Sequence, residues 1–228
     1  MAQPINRYKT DLRDFSFLLF EQFKLQDVLG AAPYSDWDED TCNTVLAQVY
    51  EFAQKVTGPL NRVGDTQGCK LVDGKVIVPE GFKQAWDKLY EAGWRVLGAS
   101  SEHGGMDAPM AISVLSDELL SGSNTAFNMY PGLCLGAAEV IAEFGTPHQK
   151  HEIVPKMMNG TWGGTMCLTE PHAGSDVGSS STTATPKGDG TYAIKGTKIF
   201  ISGGDHDMAE NIIHLVLARI DGAGAGTK

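Results

Sequence analysis

The sequence predicts an α+β protein with segregated halves: an N-terminal all-α helical bundle domain followed by an incomplete antiparallel β-barrel-like domain. Three observations carry this. Through the first two thirds, apolar residues recur at spacings of three and four, the period of one helix face. Near Gly160 the texture changes to Gly, Thr and Ser with alternating apolar residues, the period of a strand. After a last apolar run, Ile212 to Ile220, the chain stops in Asp221-Gly222-Ala223-Gly224-Ala225-Gly226-Thr227-Lys228, a turn with nothing behind it to pack against an open sheet edge. The expectation is a truncated part of a longer protein, divided into an N-terminal extension (1–40), a helical domain (41–160) and a partial middle β domain (161–228).

Taken in order, Phe15, Leu18, Leu19, Gln22 and Phe23 suggest a short amphipathic segment. Val45, Leu46, Val49, Tyr50, Phe52, Ala53 and Val56 mark the face of a longer helix, which Pro59 is expected to end because it lacks an N–H. Leu71-Val72-Asp73-Gly74-Lys75-Val76-Ile77-Val78 places two apolar runs about an Asp-Gly pair, a hairpin signal. Phe82, Trp86, Leu89 and Tyr90 define another helix, closed by Gly93, before a glycine-rich loop at Glu102-His103-Gly104-Gly105. Two helices are expected from about Pro109 to Leu120 and from about Thr125 to Phe144, and a further one from Thr146-Pro147, where Thr can cap and Pro suits the first turn. Strands are expected at Thr191 to Lys195, at Lys198 to Ser202 and at Ile212 to Ile220, with Lys187-Gly188-Asp189-Gly190 as a turn.

Of the 228 residues, 42% are hydrophobic and 20% charged, an ordinary globular mixture. With 18 Lys plus Arg against 28 Asp plus Glu the formal net charge is −10. A surface of that sign repels phosphate backbones, so nucleic acid is not an expected partner. Runs such as Phe15 to Phe20 fall far short of the ~18 apolar residues that a membrane helix needs, so no membrane partner is expected. The chain start has no signal-peptide pattern and is too acidic for a transit peptide, with Asp11, Asp14 and Glu21. Cys42, Cys69, Cys134 and Cys167 show no CxxC spacing and sit among apolar neighbours; reduced, partly buried thiols in a cytoplasmic protein are expected. His148 and His151 lie three apart without an accompanying carboxylate–histidine pair, so no metal is expected.

The most specific stretch is Met166-Cys167-Leu168-Thr169-Glu170-Pro171-His172-Ala173-Gly174-Ser175-Asp176-Val177, followed by Gly196-Thr197-Lys198-Ile199-Phe200-Ile201-Ser202-Gly203-Gly204. The pair resembles the two signature blocks of the acyl-CoA dehydrogenase family, flavoenzymes that introduce an α,β double bond into acyl-CoA thioesters. Glu102-His103-Gly104-Gly105 and Asp117-Glu118-Leu119 match that family's helical-domain pattern, so the resemblance covers nearly the whole chain. Tyr130-Pro131-Gly132-Leu133, Ala209-Glu210-Asn211-Ile212-Ile213-His214 and the segment before residue 40 are similar to the branch that acts on 3-methylmercaptopropionyl-CoA.

The resemblance implies FAD as cofactor, an acyl-CoA substrate, electron-transfer flavoprotein as electron acceptor and a homo-oligomer. Elementary chemistry suits the residues. Met166 and Leu168 offer apolar contact to an isoalloxazine ring, and Thr169 a hydroxyl for its polar edge. Gly174 and Ser175 allow close backbone approach with N–H and O–H donors. Phe200 can lie against the ring and Ser202 can donate to it. In the family, the residue matching Ser175 serves the cofactor and the thioester, and members commonly carry Trp and Thr where Phe200 and Ser202 stand. The change keeps aromatic and hydroxyl character.

Dehydrogenation also needs a base for the α-proton. The family's base is a Glu, usually in a C-terminal helical domain, which is absent from this chain and expected beyond Lys228. Asp117, Glu118 and Glu170 do not match it, so no catalytic residue is assigned; Glu118 is expected on a solvated or packing face and Glu170 in a structural turn. Two alternatives stand beside the dehydrogenase: a non-catalytic binding or assembly module of the same fold, and a flavin oxidase acting on a non-CoA substrate.

Overall fold

The structure is a computed structural model that describes residues 6–224 and residue 226. Helix α1 (Leu12–Ser16) starts at Asp11, whose carboxylate accepts the Arg13 N–H, and runs into a π-helical turn, Phe17–Gln22, that buries Leu19 and Phe20. Helix α2 (Glu39–Phe52) is capped by Asp38, which accepts the Thr41 N–H at 2.7 Å, and buries Cys42, Leu46 and Val49.

Pro59 does not end this helix. α2 continues through a π-helical segment, Ala53–Thr57, into α3 (Gly58–Gln67), with Pro59 in the first turn of α3. The π segment shifts the hydrogen-bond register at the junction, so the donor that proline lacks falls where a helix start would leave it unused. The hairpin forms as expected. Strands β1 (Lys70–Val72) and β2 (Lys75–Ile77) pair antiparallel about Asp73 (φ 49°) and Gly74 (φ 78°), both central residues at the positive φ of a type I′ turn.

Helix α4 (Phe82–Glu91) buries Phe82, Trp86 and Leu89, and Gly93 (φ 74°) turns the chain away. Helix α5 (Met110–Phe144) is two helices in one: Asn124 has non-helical backbone (φ −160°, ψ 84°) and divides it close to where the sequence separates them. α6 (Pro147–Glu152) opens with a reciprocal Thr146–Gln149 capping box, and α7 (Val154–Met158) leads to the sheets. Trp86, Leu89, Ile112, Leu119, Phe127, Cys134, Val154 and Met157 lie in one core shared by α4, α5 and α7. Among the described residues no helix is long and apolar enough to cross a membrane.

The second half is strand-rich, so the α+β class with segregated halves holds, but its sheets are mixed. β3 (Trp162–Cys167) pairs parallel with β6 (Asn211–Val216). β4 (Thr183–Pro186) lies between β5 (Tyr192–Lys195), antiparallel, and β7 (Arg219–Ile220), parallel. No closed barrel forms among the described residues, because two of these three pairings are parallel and the sheets stay separate. The run Ile212 to Ile220 splits as the chain changes sheets: Leu217 N–H donates to Cys167 O at 3.1 Å and Arg219 N–H to Thr182 O at 2.8 Å. The expected strand Lys198 to Ser202 is irregular, since Phe200 at φ 56° breaks the extended backbone. Cys42, Cys134 and Cys167 are buried, but Cys69, at the start of the hairpin, is exposed.

β3 rests on α5 and α7 because its centre is Gly163-Gly164. A Cβ at Gly164 would lie 2.5 Å from Met157 Cε and 3.1 Å from Cys134 Cα, inside normal contact.

Candidate functional site

The pleat of β3 turns Thr165 and Cys167 inward and Met166 outward, 45% exposed. Beyond the strand Leu168 and Thr169 are half-buried, and the chain folds back in a tight turn: Glu170 N–H donates to Ala173 O at 2.8 Å, and Ala173 N–H returns to Glu170 O at 3.1 Å. Gly174 and Ser175 follow on the surface. A Cβ at Gly174 would meet only Thr169 Cγ2, at 3.6 Å, so this glycine lies beside Thr169 with open space around it.

Glu170 is a charged hub. Its carboxylate is nearly fully buried, yet it accepts from Ser181 N–H (2.7 Å), Ser181 Oγ (2.8 Å), Thr182 N–H (2.9 Å) and Lys198 Nζ (2.8 Å). Lys198 and these donors hold its carboxyl far below the usual carboxylate range. Lys198 Nζ also donates to Leu168 O at 2.9 Å, and Ile199 N–H donates to Thr169 O at 2.9 Å. Segments 168–170 and 198–199 are thereby joined side by side.

Phe200 comes next, 87% exposed and left-handed at φ 56°. A left-handed backbone at a bulky residue costs about 1–3 kcal/mol. Phe200 thus combines an apolar ring turned to solvent with a backbone conformation that bulky residues rarely adopt. Ser202 is exposed, and the adjacent Gly203 lies against α5 and β3: its Cβ would be 3.2 Å from Tyr130 Cδ1 and 4.0 Å from Thr165 Cγ2.

The structure therefore brings Leu168, Thr169 and Gly174 together with the chain that leads into Phe200. Met166 and Ser202 flank this group on their own segments. Among the described residues no hydrogen bond links Ser175 to Phe200 or Ser202. These residues offer apolar side chains (Met166, Phe200), hydroxyls (Thr169, Ser175, Ser202) and an open glycine, residue types suited to a flat heteroaromatic ring bearing phosphates.

Three residues of consequence were not legible as such. Glu170 was expected only in a turn, and Lys198 lies inside a strand-like run. His206 sits between acidic neighbours that suggest a solvated loop, yet it is buried, its ring centroid 5.6 Å from that of Trp86 and 5.3 Å from that of Tyr130. Burial pulls its pKa below the ordinary histidine value. Its Nδ1 accepts the Met208 N–H at 3.3 Å, which places the neutral ring's proton on Nε2.

Asp117 pairs with Arg95 and accepts from Asn128 Nδ2 at 3.0 Å, while Glu118 is exposed. His148 and His151 are exposed, and among the described residues no group of three or more His, Cys, Asp or Glu side chains gathers for a metal. A groove of about 700 Å³ lies elsewhere, between α4 and residues 207–210, lined by Lys83, Trp86, Asp87 and Glu210 among others.

Comparison with known proteins gives a consistent picture. Residues 40–161 match the family model "Acyl-CoA dehydrogenase, N-terminal domain", and residues 165–227 match "Acyl-CoA dehydrogenase, middle domain". The chain is 39% identical over 221 residues, 97% of its length, to 3-methylmercaptopropionyl-CoA dehydrogenase of Ruegeria pomeroyi. It is 41% identical over 98% of its length to the broad-specificity linear acyl-CoA dehydrogenase FadE5 of Mycobacterium tuberculosis. It spans 38% and 37% of the length of those two relatives. Among solved structures, acyl-CoA dehydrogenase from Geobacillus kaustophilus superposes with a TM-score of 0.65 at 27% identity, covering 85% of this chain and 46% of that one.

Proposed function

Because this chain belongs to the acyl-CoA dehydrogenase family of oxidoreductases, we propose that it forms the N-terminal and middle part of an FAD-dependent enzyme that oxidises a short acyl-CoA thioester to the trans-2-enoyl-CoA. One observation carries the flavin assignment: Phe200 is exposed in a strained backbone, on the chain that hydrogen-bonds beside Thr169. A surface of this kind gains when a planar ring covers it.

In this proposal Met166, Leu168 and Phe200 give the ring apolar contact, Thr169 and Ser202 meet its polar edge, and Gly174 and Ser175 approach the phosphate and thioester region. FAD, when bound, supplies the acceptor for the hydride from the β-carbon. The chain's own share is to hold and orient these groups and to keep water from the ring face. No residue of the chain is assigned the α-proton, and Asp117, Glu118 and Glu170 are not proposed as the base. The substrate proposed is 3-methylmercaptopropionyl-CoA or a similar short thioester, supported by the relative that bears that name and matches 97% of the chain. Electron-transfer flavoprotein as electron acceptor, and self-association into a homo-oligomer, belong to the same proposal.

The test is turnover. Full-length protein is given a panel of acyl-CoA thioesters with an artificial electron acceptor, and enoyl-CoA is followed directly. Short thioesters are expected to turn over best, and failure with every thioester overturns the assignment. The 228-residue chain alone is expected to bind FAD weakly; tight stoichiometric binding by it would show that the cofactor site is complete within these residues.

A further inference from the structure

We propose that Glu170 and Lys198 form a positioning pair that sets the flavin-facing surface, an inference that rests on the flavin assignment above. Residues 166–169 and 199–202 carry most of the proposed contacts. Regular sheet pairing does not hold them together, since β3 ends at Cys167 with β6 as its partner and residues 197–200 are irregular.

The join is made by one ammonium group and one backbone bond. Lys198 Nζ reaches Leu168 O at 2.9 Å and Glu170 Oε1 at 2.8 Å, so it straddles Thr169 and grips the residue on each side. Ile199 N–H donates to Thr169 O itself at 2.9 Å. Glu170 is anchored from a third direction by Ser181 and Thr182. Side-chain exposure is 1% for Glu170 and 10% for Lys198, so both charges are largely shielded from water.

Two residues after Lys198 the backbone enters the left-handed region at Phe200. A strained conformation persists only where its surroundings over-determine it. The pair supplies that constraint on the N-terminal side, and the packing of Gly203 on Tyr130 supplies it on the other. A turn that needed closing and nothing more would be served by neutral partners. A buried ion pair bridging both segments fixes their separation, and with it the distance between the Thr169 hydroxyl and the Phe200 ring.

The experiment compares FAD binding by full-length wild type, Lys198→Met, Lys198→Arg and Glu170→Gln, with exposed Lys195→Met as control. Titration with FAD gives affinity, and the visible circular dichroism of the bound flavin reports the ring's surroundings. Lys198→Met is expected to weaken FAD binding about tenfold or more and to change the flavin dichroism. Lys198→Arg, which keeps the charge, is expected to recover part of both. Glu170→Gln keeps one acceptor oxygen and tests the pair even if Lys198→Met does not fold. Wild-type affinity and dichroism in both Lys198→Met and Glu170→Gln would overturn the pair while leaving the flavin site standing. Absence of FAD binding by wild type would instead overturn the flavin assignment and this inference with it.

Discussion

The hydroxyls of Thr57 and Ser123 lie 2.6 Å apart, both buried, where two helices lose regularity together. Thr57 closes the π segment before α3, and Ser123 precedes the break in α5. Asn124 completes the arrangement: its Nδ2 donates to Thr57 O at 3.1 Å, and its Oδ1 accepts the Phe127 N–H at 3.0 Å as a cap for the second half of α5. Asn124→Ala loses a buried hydrogen bond and a cap, so it is expected to cost about 2–3 kcal/mol in urea unfolding. Thr57→Val is expected to cost about 1 kcal/mol, because Ser123 Oγ keeps its bond to Leu120 O.

His206 predicts a pH dependence. Its folded pKa lies below the ordinary value, so the unfolded chain takes up a proton that the folded chain refuses. The stability it contributes is present above about pH 6.5 and falls as pH drops toward the folded pKa. Asp205 and Asp207 partly oppose the shift. His206→Gln is expected to flatten the fall of stability as pH drops below about 6.5, a slope bounded by about 1.4 kcal/mol per pH unit for one proton. Melting curves across that range, for both proteins, check it.

Gly164 tests the seat of β3 on the helices. The new Cβ of Gly164→Ala would meet Met157 Cε at 2.5 Å and Cys134 Cα at 3.1 Å. The methionine end can swing aside but the helix backbone cannot, so the expected loss is about 1–3 kcal/mol. Gly132→Ala, whose Cβ would meet nothing within 4 Å, is the contrasting control, expected within about 0.5 kcal/mol of wild type or slightly more stable.

Phe200→Asn places a residue that tolerates the left-handed region at φ 56°. It is expected to raise unfolding free energy by about 0.5–1 kcal/mol while weakening FAD binding. A gain in stability together with undiminished affinity would show that the exposed ring contributes nothing to the cofactor.

Thiol labelling separates the cysteines. Cys69 is exposed, with its Sγ 3.5 Å from the Tyr130 hydroxyl, whereas Cys42 and Cys134 are buried and burial pushes each thiol up to about 11. A native sample is expected to release about one equivalent quickly with an aromatic disulfide reagent, and all four after denaturation. Cys69→Ser should abolish the fast phase.

Features that depend on neighbours in the chain were legible from the sequence by itself. The Thr146 cap, the Asp73-Gly74 hairpin, the closing Gly93 and the division of α5 near Thr125 all follow from caps, turn residues and apolar spacing within a few positions. So does the α+β class, because beyond the early hairpin the hydrophobic period changes lastingly near Gly160. The two blocks that carry the candidate site were equally plain as stretches of residues.

Only the tertiary structure decided what crosses long distances. Pro59 is absorbed because a π segment precedes it. β3 takes β6 as a parallel partner 49 positions on, where an antiparallel neighbour was expected. Lys198 to Ser202 has strand-like residues, but the bonds of Lys198 and Ile199 to residues 168–170 and the left-handed Phe200 override that local preference. Glu170 reads as one more charge in a turn until Ser181, Thr182 and Lys198 converge on it. The physical reason is the same in each case. Periodicity and capping are short-range and survive in the order of the residues, whereas strand partners, buried ion pairs and strained backbone are settled by competition among contacts that no local window contains.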